Sequence, residues 1–152
     1  MGAGRGFNWG HPIVEEFRVL EHTADIGFEA FGASREDVFR NAGRALMSLI
    51  VDLESVRRQD RVRLEARASG PQALLVNWLS EILYLQDTEK RLFGDFEVND
   101  LRDGRVCGDG CGERFDPRRH QIKLLVKAVT YHQLALEETL EGIWRAQVYV
   151  DI

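Results

Sequence analysis

Long apolar runs are missing from this chain of 152 residues. None approaches the ~20 residues that a membrane-spanning helix requires, so the sequence gives no reason to expect a membrane partner. Cysteine is scarce, with only Cys107 and Cys111. Two thiols are too few for a secreted disulfide framework, and their C-x-x-x-C spacing is not the C-x-x-C redox pattern; a reducing compartment fits best. Positive charge is outnumbered, 20 Lys and Arg against 25 Asp and Glu, for a formal net charge of −5. That balance argues against broad binding to nucleic acid, which depends on neutralising phosphates. Lysine occurs only at Lys90, Lys123 and Lys127, so a lysine set among acidic groups stands out. Residues 1–15 lack the apolar stretch of a secretory signal and read as a flexible arm. The expectation is a cytoplasmic protein whose folded domain spans residues 16–152.

A hydrophobic content of 44 % suits one globular domain that can bury a core without staples. Strands are expected at 16–20, running on toward His22, and at 25–31, closed by Gly32. Ser34 then caps a helix, with Glu36 and Asp37 in its first turn and an apolar face of Val38, Phe39, Ala42, Ala45, Leu46, Leu49 and Ile50. Residues 61–68 alternate as a strand with one wet face. Ser69-Gly70-Pro71 opens a second helix, whose broad apolar face includes Trp78 as a core residue. Asp103-Gly104 is a two-residue hairpin turn between strand-like runs at 93–101 and from 105. Residues 122–136 read as extended structure, and 139–142 as a turn before a final strand. In that strand Trp144, Ala146, Val148 and Val150 point one way and Arg145, Gln147, Tyr149 and Asp151 the other. The fold class is α+β, a single domain with a largely antiparallel sheet packed against two main helices.

One short stretch concentrates polar chemistry: Glu21-His22-Thr23-Ala24-Asp25-Ile26-Gly27, at the mouth of the second strand. On spacing alone it reads as a turn, because Asp and Thr side chains bond readily to nearby backbone. The alternative is an ion site shared with Asp151 and the carboxylate after Ile152. Carboxylate oxygens are hard donors that favour Ca²⁺, Mg²⁺ or Mn²⁺ over Zn²⁺. Like charges gathered there call for a cation, or for a lysine such as Lys127. A rival Zn²⁺ set of Cys107, Cys111, His120 and His132 has no standard spacing.

Catalytic arrangements do not emerge. The serines sit in helices, caps or loops without a nucleophile motif. The glycine-rich Gly108-Asp109-Gly110-Cys111-Gly112 leads into Glu113-Arg114-Phe115-Asp116-Pro117, which does not open the helix that a phosphate loop needs, so it reads as a kinked or bulged strand. No catalytic residue and no organic cofactor is assigned.

Five blocks, in order, closely resemble the archease family: 21–27, the helix around 78–85, 112–120, 126–132 and the terminal Val150-Asp151-Ile152. The likeness runs from about Glu16 onward and departs from the family around Cys107 to Cys111. The resemblance implies a non-catalytic cofactor of an RtcB-type RNA ligase in tRNA splicing and RNA repair. Such a cofactor promotes ligase guanylylation and multiple turnover and broadens NTP use, with tRNA contacted only through the ligase. It further implies metal ligands at Asp25, Asp151 and the main-chain carboxylate of Ile152, with Ca²⁺ the usual occupant in structures and Mg²⁺ or Mn²⁺ as alternatives. Lys127 joins Asp25 and Asp151 as an activating residue, and His22, Thr130, Asp116 and His120 are supporting ones. Two rivals remain at this point: a chaperone-like adaptor for a tRNA-modifying enzyme such as a methyltransferase, and a hydrolase using Asp25 and Asp151.

Overall fold

The computed structural model describes residues 15–22 and 25–152. Residues 1–14 of the expected arm lie outside the described residues, as do Thr23, Ala24 and the side chains of Glu21 and His22. The order is β1 (Phe17–His22), β2 (Asp25–Gly32), α1 (Arg35–Ile50), a 3-10 turn (Leu53–Ser55), β3 (Asp60–Arg67), α2 (Pro71–Glu89), β4 (Arg91–Arg102), β5 (Arg105–Arg114), β6 (Ala128–Val129), β7 (Ala135–Glu138) and β8 (Trp144–Asp151). All pairing is antiparallel, as expected, but it is divided between two sheets. One runs β1-β2-β8-β6, with β7 also on β8; the other runs β3-β5-β4.

The first helix lies between the sheets, against β2 and β4. Its burial is therefore wider than one stripe: Asn41, Gly43 and Met47 are buried beside the expected apolar face. Asn41 Nδ2 donates to the Phe31 carbonyl at 2.7 Å, tying the helix to the end of β2. Ser34 Oγ accepts from the Asp37 N–H at 3.1 Å, which satisfies one of the donors that a helix start leaves open. Ser34→Ala is expected to cost about 1 kcal/mol in urea unfolding, with an unchanged fold. The second helix starts at Pro71 and ends at Lys90, whose φ of 56° turns the chain left-handed into β4. Trp78 is fully buried and its indole N–H donates to the Phe39 carbonyl at 3.1 Å, so it joins the two helices inside the core.

Two local expectations are corrected. The glycine-rich stretch is not a kinked strand: β5 runs straight through it, and the extra residues, Gly94 and Asn99, lie on the partner strand β4. The glycines exist for close approach. A Cβ at Gly112 would stand 1.9 Å from the Leu92 carbonyl oxygen, and one at Gly110 would stand 2.5 Å from the Phe93 ring. Residues 122–136 are also not continuous strand. Within this stretch only β6 and the start of β7 are paired, both with β8, and Leu134 N–H closes a turn on the Tyr131 carbonyl at 3.2 Å. Ile122, Leu124 and Val126 alternate because they pack half-buried against the core. Alternation reports which side chains are covered; it does not report whether the backbone has a neighbour to pair with.

Candidate functional site

The end of β8 is held from both sides. On one side, β2 pairs with it down to Ile26 opposite Val150, and continuing that register sets Asp25 across from Asp151. On the other, Ala128 pairs with Asp151, and the Lys127 N–H donates to the Asp151 carbonyl at 2.8 Å. Ala146, Val148 and Val150 are buried, so the intervening residues of β8 face outward. The Asp25 side chain is half exposed and Asp151 is exposed, both on this outer face. Three positions far apart in sequence, Asp25, Lys127 and Asp151, therefore meet at one sheet corner.

A bulge frames the corner. Between Val129 opposite Val150 and Ala135 opposite Gln147, the five residues 130–134 span what Val148 and Tyr149 span on β8. Thr130 anchors it: its N–H and its hydroxyl both donate to the Tyr149 carbonyl at 3.0 Å, and its oxygen accepts from the His132 N–H at 3.2 Å. His132 then stands edge-on to Tyr149, 5.6 Å between ring centroids, with Nε2 3.8 Å from Asp25 Oδ2. This neighbour of Asp25 was missed in the sequence, where His132 figured only in the Zn²⁺ set. Nothing local could reveal it, since the two residues meet through β8, with β2 paired on one side of it and Thr130 anchoring the 130–134 segment on the other.

Electrostatics bear on whether a metal fits here. Carboxylates directly opposite each other in an antiparallel pair repel. Among the described residues the only basic side chain within 4 Å of either carboxylate is His132, whose Nε2 lies 3.8 Å from Asp25 Oδ2. The exposed Lys127 side chain makes no ion pair with them among the described residues, so the neutralising role considered for it is not taken up in this arrangement. Among the described residues no three His, Cys, Asp or Glu side chains gather as a ligand group. The third expected donor is instead a main-chain group, the carboxylate of Ile152, next to Asp151 and itself exposed. An all-oxygen set of this kind fits a hard divalent cation and not Zn²⁺.

The remaining candidates sit elsewhere. His120 is buried: its Nδ1 accepts from the Asp116 N–H at 2.9 Å, and its Nε2 lies 2.8 Å from Glu113 Oε2. Asp116 accepts from the Arg118 N–H at 2.9 Å and faces Arg119. Their described bonds go to this knot and not to Asp25 or Asp151. The Zn²⁺ set is not assembled: Cys107 faces Arg63 at 3.6 Å, Cys111 is four residues along the same strand, and the two histidines belong to different clusters.

Glu113 was not anticipated. Burial alone would raise its carboxyl pKa, but Arg119, the Arg57 N–H at 2.7 Å and His120 outweigh that and hold it at about 2, from an ordinary 4.5. Asp95 is a second unanticipated anchor. Arg40 grips it through two bonds of 2.9 Å and Arg58 stands at 3.4 Å; burial works against these contacts, yet the net result is a lowered pKa.

The chain matches the family model of the Archease protein family (MTH1598/TM1083) across residues 17–152. It is 38 % identical over 142 residues to the protein archease of Pyrococcus furiosus, covering 91 % of this chain and 100 % of that protein. The solution structure of Methanobacterium thermoautotrophicum protein 1598 superposes with a TM-score of 0.77 at 34 % identity, covering 90 % of this chain and 99 % of that one. The crystal structure of a Thermotoga maritima archease, described as a possible chaperone, has a TM-score of 0.56 at 18 % identity over 93 % of this chain and 99 % of that one, a likeness of fold alone.

Proposed function

Because the chain belongs to the archease family, we propose that it activates an RtcB-type RNA ligase in tRNA splicing and RNA repair, promoting guanylylation and repeated turnover of the ligase and broadening its use of NTPs. The chain itself joins no RNA, and tRNA is met through the ligase, in keeping with a net charge of −5. The observation that carries the reading is the meeting of Asp25, Lys127 and Asp151 at one outward-facing sheet corner.

Asp25, Asp151 and the Ile152 carboxylate would hold the divalent cation, Ca²⁺ first, with Mg²⁺ or Mn²⁺ as alternatives. Bound there, the ion supplies concentrated positive charge that can draw phosphate oxygens. The chain's own residues do the rest. The flanking strands hold the end of β8 laterally, β2 at Val150 and β6 at Val150 and Asp151, which places the Asp151 backbone at the corner. Lys127 adds an exposed ammonium on a flexible stem, suited to a triphosphate as a point charge. Thr130 holds the bulge that carries His132 toward Asp25. In this reading the corner enters the nucleotide pocket of the ligase and helps arrange metal and triphosphate for attack by the ligase nucleophile.

Mixing the purified chain with a cognate RtcB-type ligase, GTP and divalent metal tests the proposal. Faster formation of guanylylated ligase and several joined RNAs per ligase are expected. Unchanged guanylylation and single turnover would overturn it. The adaptor reading has one observation of its own, the exposed apolar side chains Leu125, Tyr131 and Leu140. It predicts protection of a tRNA-modifying enzyme from aggregation that survives loss of Asp151.

A further inference from the structure

A groove of about 620 Å³ runs between α2 and residues 125–129, beside the corner just described. Its walls include Leu83, Tyr84, Lys90, Leu125 and Lys127. Tyr84 and Leu125 are 60 % and 73 % exposed, large apolar side chains left facing solvent on opposite walls. Its charge is unlike that of the whole chain. Two of only three lysines in an acidic protein line it, against one carboxylate, Asp87, and the third, Lys123, is exposed on the same extended segment.

The backbone beside the groove is unfinished in the same direction. Residues 121–127 alternate between exposed and half-buried side chains, the pattern of an extended chain, with Lys123 N–H donating to the Ile50 carbonyl at 2.7 Å and Lys127 N–H to the Asp151 carbonyl at 2.8 Å. In an extended chain, N–H and C=O groups alternate sides residue by residue. Those of Leu124 and Val126 therefore point to the opposite edge, where no backbone partner meets them among the described residues. An edge of open donors and acceptors flanked by apolar side chains and lysines is suited to strand addition, in which main-chain bonds give affinity and alternate side chains give specificity.

We infer that this groove docks an extended segment of the ligase partner, one in which apolar residues alternate with carboxylates, as a strand added along residues 124–126. The inference rests on the activator reading, and it assigns the groove to affinity and the adjoining Asp25-Asp151 corner to activation. The apolar residues of the segment lie against Tyr84 and Leu125, and its carboxylates meet Lys90, leaving Lys127 to the corner.

The test titrates the full chain, as Tyr84→Asp and as Leu125→Asp, against the ligase while guanylylation is followed, with amide hydrogen exchange on the complex. Both positions are exposed, so folding is spared. Each variant is expected to raise the concentration for half-maximal stimulation about tenfold or more, on the scale of an interface anchor, with the maximum unchanged. The amides of Leu124 and Val126 are expected to become protected when the ligase is present. A parent chain that stimulates, with both variants showing the same half-maximal concentration, overturns the inference and leaves the activator reading standing; no stimulation by the parent overturns both. A raised half-maximal concentration without amide protection overturns strand addition. Variants that dissociate a self-associated form of this chain without shifting the ligase titration make the occupant a second copy, which also overturns it.

Discussion

Asp151→Ala is expected to fold like the parent chain and to lose stimulation of the ligase. The side chain is exposed and makes no hydrogen bond or ion pair among the described residues, so its removal takes away no packing. It also removes a negative charge opposite Asp25, a pairing whose cost is a few tenths of a kcal/mol, so stability without metal should hold or rise slightly. Cation affinity should fall about 100-fold or more, since the outer partners of metal ligands alone are worth about 10- to 100-fold. Two measurements separate these effects. Thermal unfolding of the parent should shift upward with Ca²⁺, by about 2.7 kcal/mol at a hundred times its Kd, while at the same Ca²⁺ concentration the variant should gain no more than about 0.4 kcal/mol. Guanylylation of the ligase should then fall to the level seen without this chain. Asp25→Ala should behave alike, and so should extension beyond Ile152, which converts the carboxylate to an amide. Full stimulation by a well-folded Asp151→Ala chain would remove the basis of the proposed corner.

Much of the fold was legible in the sequence because local rules and tertiary burial agree. Ser34, Glu36 and Asp37 mark the start of α1, and Ser34 does cap it. The hairpin at Asp103-Gly104 follows from chemistry that permits Gly104 a φ of 81°. Alternation along β8 correctly put Asp151 off the hydrophobic face, because Ala146, Val148 and Val150 are in fact buried. The lateral neighbours of that strand were not legible. That Ile26 pairs with Val150, the register that brings Asp25 to the level of Asp151, depends on which strand pairs with β8, and this is set by the shared core and not by either segment alone.

The misreadings share a cause. Gly108, Gly110 and Gly112 look like a break when β5 is considered by itself, yet each lies against β4 so closely that a side chain would collide with its backbone or with the Phe93 ring. The irregularity belongs to β4, where Gly94 is a local sign of a bulge and Asn99 gives none. In the same way Glu113 reads as one more charged residue in a polar run. Its role comes from Arg57, 56 positions earlier, and from the turn that returns Arg119 and His120 to it. Charge in a sequence says little about burial until the partners are known.

That knot yields the largest expected effect on stability. Glu113 is buried, and its two oxygens accept from Arg119, from the Arg57 N–H and from His120. Because His120 Nδ1 accepts from the Asp116 N–H, its ring proton is placed on Nε2, facing the carboxylate. Glu113→Ala strands a guanidinium, a main-chain donor and an imidazole donor at once, and should cost about 3 kcal/mol or more in urea unfolding. Glu113→Gln should also destabilise, because an amide has one acceptor oxygen and turns an N–H toward a remaining donor. The sign of the pH dependence follows from the lowered pKa. The folded carboxyl titrates at about 2 and the unfolded one at 4.5, so its contribution is complete above about 4.5 and is lost as pH falls toward 2. Unfolding free energy of the parent should therefore drop across that window, and the drop should be shallower in Glu113→Gln. Equal acid slopes in the two chains would show that the carboxylate is not held as the geometry of Arg119, Arg57 and His120 requires.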